Sequence, residues 1–286
     1  MPIRELQYPV EPYSKVNRHK ERANYALETI HQIVNSCPIL HVSFQAPNSP
    51  FPVVLPMIGQ MGSFSRPSAD LGDVLDLYLH GYVSSRMMKV ARSSSSGASS
   101  EGTSAAAAGA GEEAEAGLPL TVAASHLDGL VLALTPNAHS YNYRSAVLFG
   151  RAVMVTDPAE RLYAMELVTD SVVPGRWPNT RVPPNAAELQ STSILRVRIV
   201  SGSAKIRSGP PHDERGDMED EALLDRVWTG VVPVHTVMGE PVAGGYNRVG
   251  EVPGYLEEWR KEANKDAEEF AREAAVKEVD SKKVEN

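Results

Sequence analysis

Ser84, Ser85 and Arg86 follow a β-rich run and open a helical one. Asp76 to His80 alternates in the manner of a strand, Gly81 breaks it, and Met87, Met88 and Val90 share one side of the stretch that follows. A strand that passes through Gly and paired Ser into a helix start presents free backbone N–H groups, two hydroxyls and a positive dipole end. Arg86 adds a forked donor, so the natural guest is an anion, typically phosphate. The same residues also suit a plain helix cap with a solvated Arg.

Other residue patterns narrow the chemistry. No G-x-G-x-x-G follows a strand, and there is no Walker phosphate loop and no G-x-S-x-G nucleophile elbow. The eight histidines include no H-E-x-x-H and no pair at i, i+4 spacing; a metal site assembled from His80, His126, His139 and His235 would need folding to gather them, and no metal site is expected. The acidic run at 217–221 reads as a solvated face. With no nucleophilic triad spelled out, catalysis would rest on a cofactor.

The elements that must position these residues can be read in order. Residues 1–17, with three prolines and no periodicity, form an extended arm. Arg18 to Ser36 is an amphipathic helix stopped at Cys37-Pro38. Ile39 to Gln45 and Phe51 to Ile58 are strands joined into a hairpin through the turn at 47–50, and Asp76–His80 is the next. Residues 93–117, almost wholly Ser, Ala, Gly and Glu, cannot bury enough apolar surface to offset their ordering entropy and read as a disordered insertion. Strands return at Leu118–Ala124, Leu130–Thr135, Ala146–Thr156, Ile194–Val200 and Trp228–Val234. Asp157-Pro158 starts a helix between them. Residues 237–286 are a loop and a charged, mostly solvated helix that frays after about Ala275. Short strands with few intervening helices suit a small antiparallel barrel better than a doubly wound sheet.

Composition sets the outer bounds. Of the 286 residues 42% are apolar and 22% charged, which is ordinary for a globular chain with ample core material. A net charge of −8 argues against nucleic acid or an anionic membrane as a general partner. One cysteine, no leader pattern and no long apolar run make the cytoplasm the expected compartment, with no membrane span.

Seven segments in fixed order resemble the pyridoxamine phosphate oxidase-like, FMN-binding split-barrel proteins, in the flavin-nucleotide-binding branch that includes nitroimidazole-reductase-like members. They are ERANY (21–25), LHGYVSSRMMKVA (79–91), LDGLVLA (127–133), HSYNYRSAVLFGRA (139–152), PGRW (174–177), SAKIRSGPP (203–211) and VWTGVVPV (227–234). The resemblance spans about residues 18 to 236. It implies a six-stranded antiparallel split β-barrel with flanking helices, in a homodimer with FMN at the subunit interface. It implies that Ser84, Ser85 and Arg86 take the FMN phosphate beside His80 and Gly81, and that Lys89 adds charge one turn on. It also places the backbone of Val54, Leu55, Pro56 and Met57 along the flavin ring. Tyr143, Arg144 and Ser145 become a second source of phosphate or ribityl contacts, and Trp228 reaches the cofactor across the dimer. His139 and Lys205 are weaker candidates beside the ring.

Two departures bear on the reaction. FPVVLPMI carries no Lys or Arg where the oxidases proper bind substrate, and His80-Gly81 stands where they tend to have Thr-Asn. The resemblance therefore implies an FMN-dependent oxidoreductase acting on a small molecule other than pyridoxamine phosphate. The alternatives are a non-catalytic flavin- or haem-binding protein on the same barrel, with His80 or His139 as haem ligand, and an interaction protein using the C-terminal helix.

Overall fold

The computed structural model describes residues 5–96 and 116–277. Six strands of five residues or more form its frame: β2 (Leu40–Phe44), β3 (Val53–Met57), β5 (Asp76–Tyr82), β6 (Leu118–Leu132), β7 (Ser140–Met154) and β8 (Thr192–Arg207). Three short ones are added: β1 (Ala23–Asn24), β4 (Gly59–Gly62) and β9 (Gly230–Pro233). The order is β3-β2-β6-β7-β8-β5-β4, with β1 on β8 and β9 on β6, and the sheet does not close. This is the expected antiparallel split barrel with flanking helices. No described helix is long and apolar enough to cross a membrane.

Contacts divide the chain into two units. One takes in the described residues of Met1–Arg18, Ala23–Ser125 and Ser145–Ala204, and the other those of His19–Arg22, His126–Arg144 and Lys205–Asn286.

In the first unit, β2 and β3 make the expected hairpin, with Ser43 opposite Val54 and His41 opposite Pro56. Helix α1 (Leu27–Ser36) buries Ile30, Ile33 and Val34. It starts later than the apolar spacing from Arg18 suggests, because Ala26 is consumed by a bridge to Gln7 of the N-terminal arm. That arm is extended but anchored: the Tyr8 hydroxyl meets His31 Nε2 at 2.6 Å, and Ser201 Oγ meets Ser14 Oγ at 2.7 Å. Helix α2 (Arg86–Ser96) continues four residues into the stretch expected as a disordered insertion, and residues 97–115 lie outside the described residues. Helix α3 (Pro158–Val172) begins where Asp157 Oδ1 accepts from Ala159 N and Glu160 N, and a fourth helix, α4, spans Ala186–Ser191. The α3 residue Ala164 is buried with Tyr78, Val155 and Ile194, and Tyr163, Met165 and Leu167 pack around them.

In the second unit, β9 pairs with the end of β6, Gly129 opposite Pro233 and Leu132 opposite Gly230. Two short helices follow the strand β8, α5 (Arg215–Met218) and α6 (Glu221–Leu224), and the C-terminal helix α7 (Gly254–Val276) lies against β9. The long stretch between β9 and α7 is tied down at Met238, whose N–H donates to Asn264 Oδ1 at 2.7 Å and whose carbonyl accepts from Asn264 Nδ2 at 2.9 Å.

Candidate functional site

The turn from β5 into α2 is built by its own backbone. Gly81 and Tyr82 pair with Ser193 and Thr192 of β8, and Val83 N donates to Ser191 O at 3.1 Å. Ser85 N then donates to Tyr82 O at 2.9 Å, which reverses the chain. Ser85 Oγ accepts from Met88 N at 3.4 Å and Ser85 O from Lys89 N at 3.1 Å, so Ser85 caps α2. Met87, Met88 and Ala91 are fully buried and fix the helix roll. That roll leaves Arg86 and Lys89 exposed, at i, i+3 on one face. Among the described residues neither side chain has a hydrogen bond or ion pair. Two uncommitted cations beside a capped helix start form a concentrated positive field.

The β3 strand reaches this turn. Ile58, just past Met57, accepts from His80 N at 3.2 Å. A Cβ on Gly81 would lie 2.6 Å from Met88 Cε and 3.5 Å from Met57 Cε, so the missing side chain lets both methionines close over the strand. Met57, His80, Gly81 and the Ser84–Arg86 turn are thereby brought together. Val54 and Pro56 face outward and are exposed, whereas Leu55 and Met57 are half-buried on the side of buried Val42 and Leu40. Crowding lowers the basicity of the His80 imidazole although its outer edge is open to solvent.

Ser145 is half-buried in the same unit. Beneath β5 lies a polar group that the alternation did not announce. The Tyr78 hydroxyl donates to Glu160 Oε1 at 2.9 Å, and Arg196 Nη1 donates to the same oxygen at 3.0 Å. Burial, and then Glu160, push the Tyr78 phenol up, which keeps its proton in place as the donor. Burial also raises Asp76, opposed by Arg196, whose Nε is 3.9 Å from Oδ2.

The remaining candidates lie in the second unit. Arg144 donates from Nε to Asp128 Oδ2 at 3.0 Å and from Nη2 to Asp128 Oδ1 at 2.8 Å. Its guanidinium carbon stands 3.8 Å over the Phe270 ring centre. Tyr143 is half-buried, and Trp228 is 66% exposed. The indole rests on Gly230, where a Cβ would come within 2.7 Å of it. His139 is exposed, with Nδ1 2.9 Å from Thr135 O. A buried cluster in this unit escaped the sequence reading: Asn142 Nδ2 donates to Gly209 O at 3.1 Å and to Ala274 O at 3.2 Å, and Arg207 donates to Asn142 Oδ1. No three His, Cys, Asp or Glu among the described residues gather around a common metal position.

Residues 98–206 match the family model described as pyridoxamine 5'-phosphate oxidase. The flavocytochrome Anf3 from Azotobacter vinelandii superposes with a TM-score of 0.65 at 24% identity, over 87% of this chain and 97% of that one. The FAD and heme binding protein from Mycobacterium smegmatis superposes with a TM-score of 0.63 at 26% identity, over 84% of this chain and 97% of that one. No curated protein sequence matches the chain. Family pattern and fold together show the likeness to the pyridoxamine 5'-phosphate oxidase-like split-barrel proteins, whose fold this chain has.

Proposed function

We propose that the protein binds a flavin nucleotide, FMN, and that Ser85, Arg86 and Lys89 hold its phosphate at the start of α2. One observation carries the reading: Arg86 and Lys89 share the exposed face of a helix locked by buried Met87, Met88 and Ala91, and neither cation has a partner among the described residues. A phosphate would meet two charges, backbone N–H groups and the Ser84 and Ser85 hydroxyls at once. The likeness to a protein described as FAD and heme binding supports a flavin and makes FAD the competitor to FMN.

A bound flavin supplies the acceptance and return of electrons or hydride. The chain's own part is to seat the phosphate, to offer the Val54–Met57 backbone to the ring, and to pack Met57 and Met88 closely over Gly81 beside it. On that basis the protein is an oxidoreductase acting on a small molecule, and it works as a homodimer in which a second copy covers exposed apolar residues such as Trp228. A second reading adds haem. It is favoured by the same FAD and heme binding relative and by His139, whose Nδ1 contact to Thr135 O turns Nε2 outward as an available ligand atom.

The test is the absorbance spectrum of the purified protein with mass identification of what it releases on unfolding. Flavin bands with released FMN support the reading, released FAD replaces FMN with FAD, and a Soret band lost in His139→Ala supports haem. Colourless protein whose melting temperature does not respond to FMN or FAD overturns it.

A further inference from the structure

A separate cleft of about 490 Å³ opens on the outer face of the first unit, across β2, β6 and β7. It shares no residue with the α2 turn or with Val54–Met57. Its apolar lining includes Phe149, Pro52, Pro119 and Val200, while Phe44 and Leu120 turn their side chains to the core on the other face of the sheet. Tyr13 from the N-terminal arm meets Phe149 edge-on, ring centres 5.0 Å apart at 70°.

Of the polar side chains on this face, Gln45 donates its amide to Ser49 O and Ala46 O, at 2.7 and 3.3 Å, whereas three others have no partner among the described residues. Among the described residues Arg151 makes no hydrogen bond or ion pair and none that lines the cleft is acidic. Ser43 and Thr121 stand directly opposite each other across β2 and β6, and neither hydroxyl has a partner among the described residues. In a chain of net charge −8, a half-buried guanidinium left unpaired among aromatic walls is unusual. The size lies within the range of small-molecule sites, which pair apolar walls with a few polar groups that set orientation.

We propose that this cleft binds a small aromatic monocarboxylate. The carboxylate takes the planar fork of Arg151 in two parallel hydrogen bonds, with the Ser43 and Thr121 hydroxyls able to donate, and the ring lies against Phe149 and Tyr13. One cation and no second charge suit a monoanion rather than a phosphate ester.

Benzoate is the probe, titrated into the full chain at constant ionic strength and followed by amide NMR shifts. Saturable shifts at Thr121, Phe149 and Arg151 are expected. Benzyl alcohol, with the same ring and no charge, should bind at least tenfold more weakly. Arg151→Met should weaken benzoate at least tenfold and leave benzyl alcohol unchanged. Equal benzoate affinity in the wild type and Arg151→Met, absence of saturation, or displacement of benzoate by FMN overturns the proposal. So does self-association that buries these residues and excludes benzoate. Arg86→Ala tests the flavin reading independently, since it should leave benzoate binding intact.

Discussion

Arg144 and Asp128 face each other through two parallel hydrogen bonds of 3.0 and 2.8 Å, with Asp128 only 4% exposed. The guanidinium is therefore committed to a buried carboxylate on one edge and to the Phe270 ring on its face. Asp128→Ala leaves a partly buried cation without its partner and should cost about 2 kcal/mol of stability, between the worth of an exposed pair and that of a fully buried one because Arg144 keeps some solvent contact. Urea unfolding checks this, and a loss below about 0.5 kcal/mol would show the pair to be as weak as a surface one.

Arg86 is the opposite case, an exposed cation with no partner among the described residues. Arg86→Ala should leave the urea midpoint unchanged while weakening flavin binding by about 1.5–3 kcal/mol, the usual worth of a charge-assisted hydrogen bond. Fluorescence titration of the flavin-free protein measures it. Undiminished affinity removes Arg86 from the site.

Gly150 sits where a Cβ would lie 2.6 Å from the Arg198 carbonyl oxygen and 2.7 Å from Val197 Cγ1. A backbone carbonyl in a sheet cannot step aside, so Gly150→Ala should destabilise by about 1–3 kcal/mol. Gly216 has open space around the same position, and Gly216→Ala should be neutral or slightly stabilising. A comparable loss at both positions would mean that the close approach at Gly150 is not what sets the cost.

His31 is fully buried, with Nδ1 donating to Leu71 O at 2.8 Å and Nε2 accepting from the Tyr8 hydroxyl at 2.6 Å. Both ring nitrogens are satisfied by the neutral form, and burial holds the pKa below its ordinary value of 6.5. The unfolded chain then binds a proton that the folded one refuses. Stability is complete above about pH 6.5 and declines as the pH falls from there toward the folded pKa. Melting temperature measured from pH 7.5 to 5.5 should fall, and His31→Asn should flatten that part of the profile. His80, also lowered by burial, contributes with the same sign. A profile equally steep in the variant would assign the effect elsewhere.

Local chemistry made much of this legible in advance. The β2–β3 hairpin and the Asp157-Pro158 helix start announce themselves through turn residues and a cap, and the strand-to-helix passage at 76–92 through Gly81 and its serines. Three features did not follow from pattern. The strand β4 is four residues long and is defined by pairing with β5, not by alternation. SHLDG at 125–129 reads as a break, yet β6 runs through it. There Asp128 is held by Arg144, and Gly129 gives room to Val231, whose Cγ1 would be 2.8 Å from a Cβ. YNYR at 141–144 reads as loop because Asn142 and Arg144 are polar, but each has a buried partner distant in sequence. At the site, the lack of a partner for Arg86 among the described residues and the committed state of Arg144 are tertiary facts. In the sequence both are simply arginines near serines.

The Asn142, Arg207 and Gly209 cluster bears on how the chain survives damage. Gly209 N and Asn142 Nδ2 both hold the carbonyl of Ala274, almost at the end of α7, at 2.7 and 3.2 Å. The stretch before that helix exposes Val242 and Tyr246 almost completely and offers a protease its easiest cut. A single cleavage there would produce two peptides on a denaturing gel and one particle in native solution, because the helix stays fastened by its far end.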